Sequence, residues 1–139
     1  MLRIIIAGGR DFNNYDLMNK SIDDVLTKLS IKNLSTGLGK SPAGYLHNVQ
    51  FISGTARGAD TLGETIVAER GWRVLLFPAD WDTYGKRAGY IRNEQMAKFA
   101  VSDESYGVLI AFWDGKSRGT KHMIDLAEKH GLEIFIISY

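Results

Sequence analysis

The sequence predicts an α/β fold: a three-layer, Rossmann-like, doubly wound parallel sheet of about five strands with helices on both faces. Three observations predict it. Five short apolar runs alternate with segments of helical spacing, the pattern of βαβ units. The runs are mostly apolar and rich in isoleucine, valine and phenylalanine, as strands buried on both faces are. Glycine-rich turns follow most of the runs, where such a sheet turns from strand into helix. With 139 residues the chain reads as one domain spanning 1–139.

The first run, Leu2–Ala7, is a strand ended by Gly8 and Gly9. Asn13 or Asn14 is placed to cap a helix from about Tyr15 to Leu29, with Leu17, Met18, Ile22, Val25, Leu26 and Leu29 on one stripe. Ile31–Asn48 holds glycines, a proline and serines without a period, and is expected to be an irregular insertion in the first crossover. Val49–Ser53 is the second strand, Gly54–Asp60 a turn, and the helix after it reaches about Arg70, where Gly71 takes the left-handed position. Trp72–Phe77 is the third strand, closed by Pro78, and Asp80–Lys86 is a loop with two aromatics. Arg87–Ala100 has helical spacing through Ile91, Met96 and Phe99. Tyr106–Trp113 is the fourth strand, Asp114–Gly119 a turn, Lys121–His130 a helix ended by Gly131, and Leu132–Ser138 the last strand. In the usual doubly wound order the first strand lies beside the fourth, and ligands bind at that switch point, beyond the carboxyl ends of the strands.

Composition narrows the function. There is no cysteine, which removes disulfides, zinc-thiolate sites and a thiol nucleophile. The three histidines, His47, His122 and His130, share no metal-ligand spacing, so no metal site is expected. No apolar stretch spans a bilayer, and the opening residues lack the charged stretch and the long apolar core of a secretion signal, so the expected setting is cytoplasmic, without a membrane partner. A net charge of +1 gives no global pull toward nucleic acid.

The turns carry the chemistry. In Gly8-Gly9-Arg10-Asp11-Phe12 the glycines let backbone amides approach an anion, Arg10 can grip a phosphate, and Asp11 can accept from a ribose hydroxyl or cap a helix. The G-x-G-x-x-G dinucleotide spacing is absent. Ser53-Gly54-Thr55-Ala56-Arg57-Gly58-Ala59-Asp60 offers small residues, a cation and a helix start, with its free amides and dipole favouring an anion. In Trp113-Asp114-Gly115-Lys116-Ser117-Arg118-Gly119-Thr120, hydroxyls and cations precede a helix, but the longer glycine spacer of a Walker loop is missing. Trp81 and Tyr84 can stack on a base or pack on the helix below. Arg92 and Asn93, within Gly89-Tyr90-Ile91-Arg92-Asn93-Glu94, are polar for a helix that packs on a sheet; they face a ligand, or Arg92 pairs with Asp80 or Asp82.

Taken together and in this order, these four motifs resemble the YspA-related members of the SLOG superfamily, whose relatives include the LOG (Lonely Guy) phosphoribohydrolases and the DNA-uptake protein DprA. The resemblance covers nearly the whole chain apart from Ile31–Asn48. It implies a Rossmann-like sheet with a site for nucleotides or their derivatives. Ser53–Asp60 is similar to the serine-glycine-x-alanine-x-glycine loop of DprA-like members, Arg92-Asn93 to the arginine motif of LOG and DprA, and Gly119-Thr120 to the glycine-threonine of the LOG active-site loop. LOG enzymes place a glutamate three residues after that threonine; here the position is Met123, which can serve as neither acid nor base.

The expected function is therefore a binding or sensing domain for a nucleotide or nucleotide-derived, phosphate-bearing small molecule, rather than an enzyme of LOG type. The expected ligand-binding residues are Gly8, Gly9, Arg10, Asp11, Ser53, Gly54, Arg57, Gly58, Asp60, Trp81, Tyr84, Arg92, Asn93, Trp113, Ser117, Arg118, Gly119 and Thr120. The alternative is a hydrolase of a glycosidic or phosphoester bond, with Asp11, Asp60 and Glu94 as the candidate carboxylates. A third reading, single-stranded nucleic-acid binding, has dispersed arginines for it and the near-neutral charge against it. An exposed sheet edge or helix face also offers a place for a homo-oligomer to form.

Overall fold

A computed structural model of the chain describes residues 1–35 and 48–139. Five parallel strands form one sheet in the order β3-β2-β1-β4-β5. They are β1 (Leu2–Gly8), β2 (Val49–Ser53), β3 (Val74–Leu76), β4 (Tyr106–Trp113) and β5 (Glu133–Ser138). The expected neighbours β1 and β4 lie side by side, with Ile4 paired to Val108 and Gly8 to Phe112. The chain winds outward from this pair in both directions, so the switch point falls between them.

Alternation along each strand sends successive side chains to opposite faces. Ile4, Ile6, Phe51, Val108, Ile110 and Phe112 pack under α1 (Tyr15–Ser35) and α2 (Ala59–Glu69), through Met18, Ile22, Leu29, Ile66 and Val67. On the other face Ile5, Ala7, Ile52, Leu109 and Ala111 meet Met96, Ala97 and Ala100, and Met123, Ile124 and Ala127. These two groups belong to the helices that cover this face, one over Ala88–Ala100 and one over Arg118–Lys129. Both faces being covered is why Leu2–Ala7, apolar but for Arg3, is buried at every position.

Three boundaries differ from the sequence reading. α1 continues to Ser35, into the stretch expected to be irregular from Ile31; the remainder of that stretch, 36–47 with His47, lies outside the described residues. β3 is shorter than Trp72–Phe77 because it pairs only with β2, over Val74, Leu75 and Leu76. Trp72 instead stacks flat on Phe51, with ring centroids 5.3 Å apart. The segment read as the loop Asp80–Lys86 folds into α3 (Trp81–Tyr84) followed by a 3-10 turn, Gly85–Arg87. The Asp80 carboxylate accepts from the Thr83 amide at 3.1 Å and so caps that turn. Among the described residues the remaining α-helices are α4 (Ala88–Ala100) and α5 (Arg118–Lys129), and α5 starts three residues earlier than the sequence reading places it.

One buried cation is structural. Arg3 enters the sheet at the end remote from the carboxyl-terminal loops. It donates to the Phe99 carbonyl and the Ser102 hydroxyl, both at 2.7 Å, and to Gln50 Oε1 at 2.9 Å. Its guanidinium lies 3.9 Å from the Phe99 ring centroid. Arg3 thus fixes the end of α4 to the sheet.

At that opposite end, space is tight. A β-carbon on Gly8 would lie 2.5 Å from the Phe112 carbonyl oxygen and 2.8 Å from the Ala59 β-carbon. The start of α2 can approach β1 and β4 only because Gly8 has no side chain. Gly8→Ala is therefore expected to lower stability by about 1–3 kcal/mol, the usual cost of overpacking, read as a lower denaturation midpoint in urea; an unchanged midpoint would show that the helix can shift freely.

Candidate functional site

A cleft of about 830 Å³ opens over the carboxyl ends of β1 and β4. Its floor is the first loop. The Gly9 amide donates to the Phe112 carbonyl at 3.1 Å, and the Gly9 carbonyl accepts from Phe12 at 3.2 Å and from Ala59 at 3.1 Å. The last of these bonds ties the loop to the first residue of α2. Gly58, with φ of +85°, packs so closely on this backbone that a β-carbon there would lie 2.4 Å from the Gly9 oxygen. Gly8, Gly9, Arg10 and Asp11 all line the cleft. Asp11 also accepts a hydrogen bond from the Tyr139 hydroxyl at 2.6 Å; burial, and then this bond, raise the phenol's pKa well above its ordinary value.

The second loop supplies Ala56, Arg57 and Asp60. Ser53 is buried behind it, donating to Glu64 Oε2 at 2.7 Å and accepting from the Thr55 amide at 3.1 Å. These bonds hold Thr55 at φ of +65°, a region that a β-branched residue rarely adopts. Asp60 is buried, and Oδ2 accepts from the Ala56 amide at 3.2 Å. Burial pushes its carboxyl up to about 6, against the Ala56 hydrogen bond and the Arg92 charge, both of which favour the ionised form.

Arg92 and Asn93 come from the second turn of α4 and are both buried. Arg92 Nη1 donates to the Gly54 carbonyl and Nε donates to Asn93 Oδ1 at 3.1 Å. The alternative ion pair with Asp80 or Asp82 is not formed among the described residues. Burial lowers the Arg92 pKa; the Asp60 charge opposes that shift and the nearby Arg10 guanidinium adds to it. Because Asn93 Oδ1 accepts from Arg92, the Asn93 amide nitrogen is left to donate to His122 Nδ1, 3.2 Å away. Tyr90 packs edge-on to the same imidazole.

The fourth loop completes the wall with Asp114, Ser117, Gly119 and Thr120. Asp114 Oδ1 accepts from the Lys116 and Ser117 amides, each at 2.8 Å, which hold its carboxyl below the usual range. Ser117 caps α5, and Trp113 braces the loop by donating from Nε1 to the Ser117 carbonyl at 3.1 Å.

Of the residues singled out in the sequence, the cleft gathers Gly8, Gly9, Arg10, Asp11, Arg57, Asp60, Trp81, Arg92, Asn93, Ser117, Gly119 and Thr120. Gly54 lines a smaller adjoining pocket. Ser53, Gly58 and Trp113 stand behind the loops as their supports. Tyr84 and Arg118 are exposed outside the cleft, and Glu94 is spent on Lys98 at 3.4 Å. Sequence reasoning missed Lys86, Tyr90, Met96 and Asp114 as lining residues, although each lies in or beside a segment it named. It also missed Tyr139 and Glu64, which nothing in their local sequence connects to these loops. Met123, at the position of the LOG glutamate, is buried and faces the cleft.

A model of the YspA, cpYpsA-related SLOG family matches residues 2–84, which contain the first two loops and Trp81. The chain is also similar to "Gene 61 protein" of Mycobacterium phage D29, 33% identical over an alignment 139 positions long that covers 96% of this chain and 94% of that one. No solved structure matches.

The raised Asp60 pKa has a stability consequence. The folded state holds its proton up to about pH 6, whereas the unfolded chain releases it near 3.8, so stability falls as pH rises through that window. Asp60→Asn keeps an acceptor for the Ala56 amide and removes the buried charge. It is expected to be more stable than the parent at pH 7.5, by at most about 2–3 kcal/mol, with the difference vanishing near pH 4. Thermal unfolding of both proteins across that range checks this; a variant that is less stable at pH 7.5 would show that attraction to Arg92 outweighs the burial cost.

Proposed function

The chain belongs to the YspA, cpYpsA-related SLOG family, and on that footing we propose that its cleft binds a nucleotide or nucleotide-derived, phosphate-bearing small molecule. One observation carries this reading. Arg10, Arg57 and Arg92 line a single cleft, and among the described residues none of them has a carboxylate within ion-pair distance. Arg92 is buried and fixed by the Gly54 carbonyl and Asn93, with the Asp60 charge near it and the Arg10 guanidinium close by. An anion is the partner that relieves such like-charge crowding.

The rest of the cleft suits a nucleotide around that anion. The first turns of α2 and α5 both border it, with the Ser117 cap at the second. Trp81 and Tyr90 line it and are 51% and 48% exposed, leaving flat faces for a base to stack on. Asp11 on the floor accepts hydrogen bonds, as a ribose hydroxyl requires. Met123 removes the carboxylate that LOG enzymes use at that position, which favours binding over phosphoribohydrolysis.

A second reading rests on Asp60. A carboxyl that exchanges its proton near pH 6 inside a cationic cleft is suited to general acid–base work, so hydrolysis of a glycosidic or phosphoester bond is the alternative. Free base or phosphate released from a bound nucleotide, and lost in Asp60→Asn, would establish it; an intact ligand after prolonged incubation removes it.

For the binding reading the test is Arg57→Ala. Arg57 is exposed and makes no hydrogen bond among the described residues, so the melting temperature should hold. Affinity for the best ligand of a nucleoside-monophosphate panel should fall at least tenfold, which is about 1.4 kcal/mol, by calorimetric titration. Unchanged affinity would remove this loop from the site.

A further inference from the structure

A chain of side-chain hydrogen bonds joins α4 to α5 behind the cleft. Arg92 Nη1 donates to the Gly54 carbonyl, Arg92 Nε donates to Asn93 Oδ1 at 3.1 Å, and Asn93 Nδ2 stands 3.2 Å from His122 Nδ1. Arg92 and Asn93 line the cleft and His122 does not. The chemistry of the groups leaves one assignment of protons. An arginine Nε only donates, so Asn93 turns its oxygen to Arg92 and its amide nitrogen to His122. That amide nitrogen only donates as well, so His122 Nδ1 accepts. The imidazole is therefore neutral, with its proton on Nε2.

We propose that His122 is a proton-sensitive positioning residue for Arg92. Its neutral ring accepts from Asn93 and so keeps Asn93 in the orientation that holds Arg92. Its protonation reverses Asn93 and releases Arg92 from one of its two bonds. The bearing of this switch on binding rests on the nucleotide reading above; the switch itself needs no ligand.

Three features argue for it. A proton on His122 Nδ1 sets donor against donor across the 3.2 Å gap to Asn93. Turning the Asn93 amide over satisfies His122, but it then sets Nδ2 against Arg92 Nε and breaks that bond. Secondly, the imidazole is poorly placed to turn away instead. The Tyr90 ring packs edge-on to it with centroids 4.4 Å apart, and Asn93 is buried, so the conflict is passed along the chain rather than lost to water. Thirdly, the surroundings keep the ring neutral until the solution turns acidic. Burial lowers its pKa below an imidazole's ordinary 6.5, against Asp125 on its own helix and Glu94 on α4, which both favour the charged form. The strand side chains in the cluster beneath α4 and α5, such as Leu109 and Ala111, carry no charge.

The test is a nitrogen-15 NMR titration of the full chain without ligand. It follows the His122 ring nitrogens and the protection of the Arg92 Nε proton against solvent exchange, relative to free arginine at the same pH. At neutral pH the His122 proton is expected on Nε2. As the ring charges, Arg92 protection should fall about tenfold or more, the scale of losing one hydrogen bond, with the same midpoint. His122→Gln keeps an acceptor and removes the titration, so protection should persist into acid. Asp60→Asn removes the other group that titrates nearby and should leave the transition in place. A proton on Nδ1 at neutral pH would overturn the assignment of the chain. Arg92 protection that stays constant while His122 charges would overturn the switch. A transition that survives in His122→Gln and vanishes in Asp60→Asn would give the effect to Asp60 and overturn it too. If either variant is unfolded by its melting curve, the wild-type tautomer and the match of midpoints decide. Since no readout uses a ligand, failure here leaves the nucleotide reading to its own test, and failure of that reading leaves the switch standing.

Discussion

The Gly9 carbonyl accepts two backbone amides, one from Phe12 in its own loop and one from Ala59 at the head of α2. Much of the site depends on that second bond. It sets the depth at which α2 meets the sheet, and so where Arg57 and Asp60 stand relative to Arg10. Neither Gly8 nor Gly58 could carry a side chain without breaking the approach. The glycines of the first and second loops thus act as a pair. One lets the helix come close, and the other lets the chain turn into that helix beside the first loop's backbone.

Once the two loops are fixed, electrostatics does the rest. Asp60 and Arg92 are both buried, and burial opposes the charged form of each. Their mutual attraction only partly offsets this, since Asp60 remains raised to about 6. A pair that merely held the fold together would be weak evidence of benefit, because a well-packed apolar pair often serves as well. The cost is intelligible if Arg92 is there to meet an anion and Asp60 to hold the loop through the Ala56 amide until it arrives. The near-zero net charge of the chain fits this picture: the cations are concentrated by folding, not by composition.

The fold was legible in the sequence because its strongest signals are local. Continuous apolar runs such as Tyr106–Trp113 report burial on both faces, and glycines such as Gly71 and Gly131 mark helix ends by their positive φ. β3 was overextended because Trp72 and Phe77 look like strand residues wherever they pack, and only pairing shows that the ladder stops at Leu76. The turn Trp81–Tyr84 was missed because four residues are too few for periodicity to register. The loops that carry Arg10, Arg57 and Ser117 were found because glycines beside cations are unusual on a bland helix entry. The division of labour within those loops was not legible: Ser53 and Trp113 hydrogen-bond to their own loops, while Tyr139 and Glu64 act across long sequence separations.

The side of the cleft on which any reactivity could lie also follows from the arrangement. The α5 wall presents Met123, Gly119 and the hydroxyls of Ser117 and Thr120. Its carboxylate, Asp114, is held ionised by two backbone amides and so is poorly suited to deliver a proton. On the floor, Asp11 is occupied by the Tyr139 hydroxyl. Glu94 is turned to Lys98 and does not line the cleft. Asp60 alone among the three carboxylates weighed from the sequence combines a place in the cleft with a proton held up to about pH 6. It sits on the α2 wall, opposite the position where LOG enzymes carry their glutamate. The glycine-rich loops thus meet a carboxyl with a raised pKa on the α2 wall and a methionine on the α5 wall. On the binding reading proposed above the cleft holds a phosphate-bearing ligand, and Met123 leaves the α5 wall without the carboxylate that LOG enzymes use at that position.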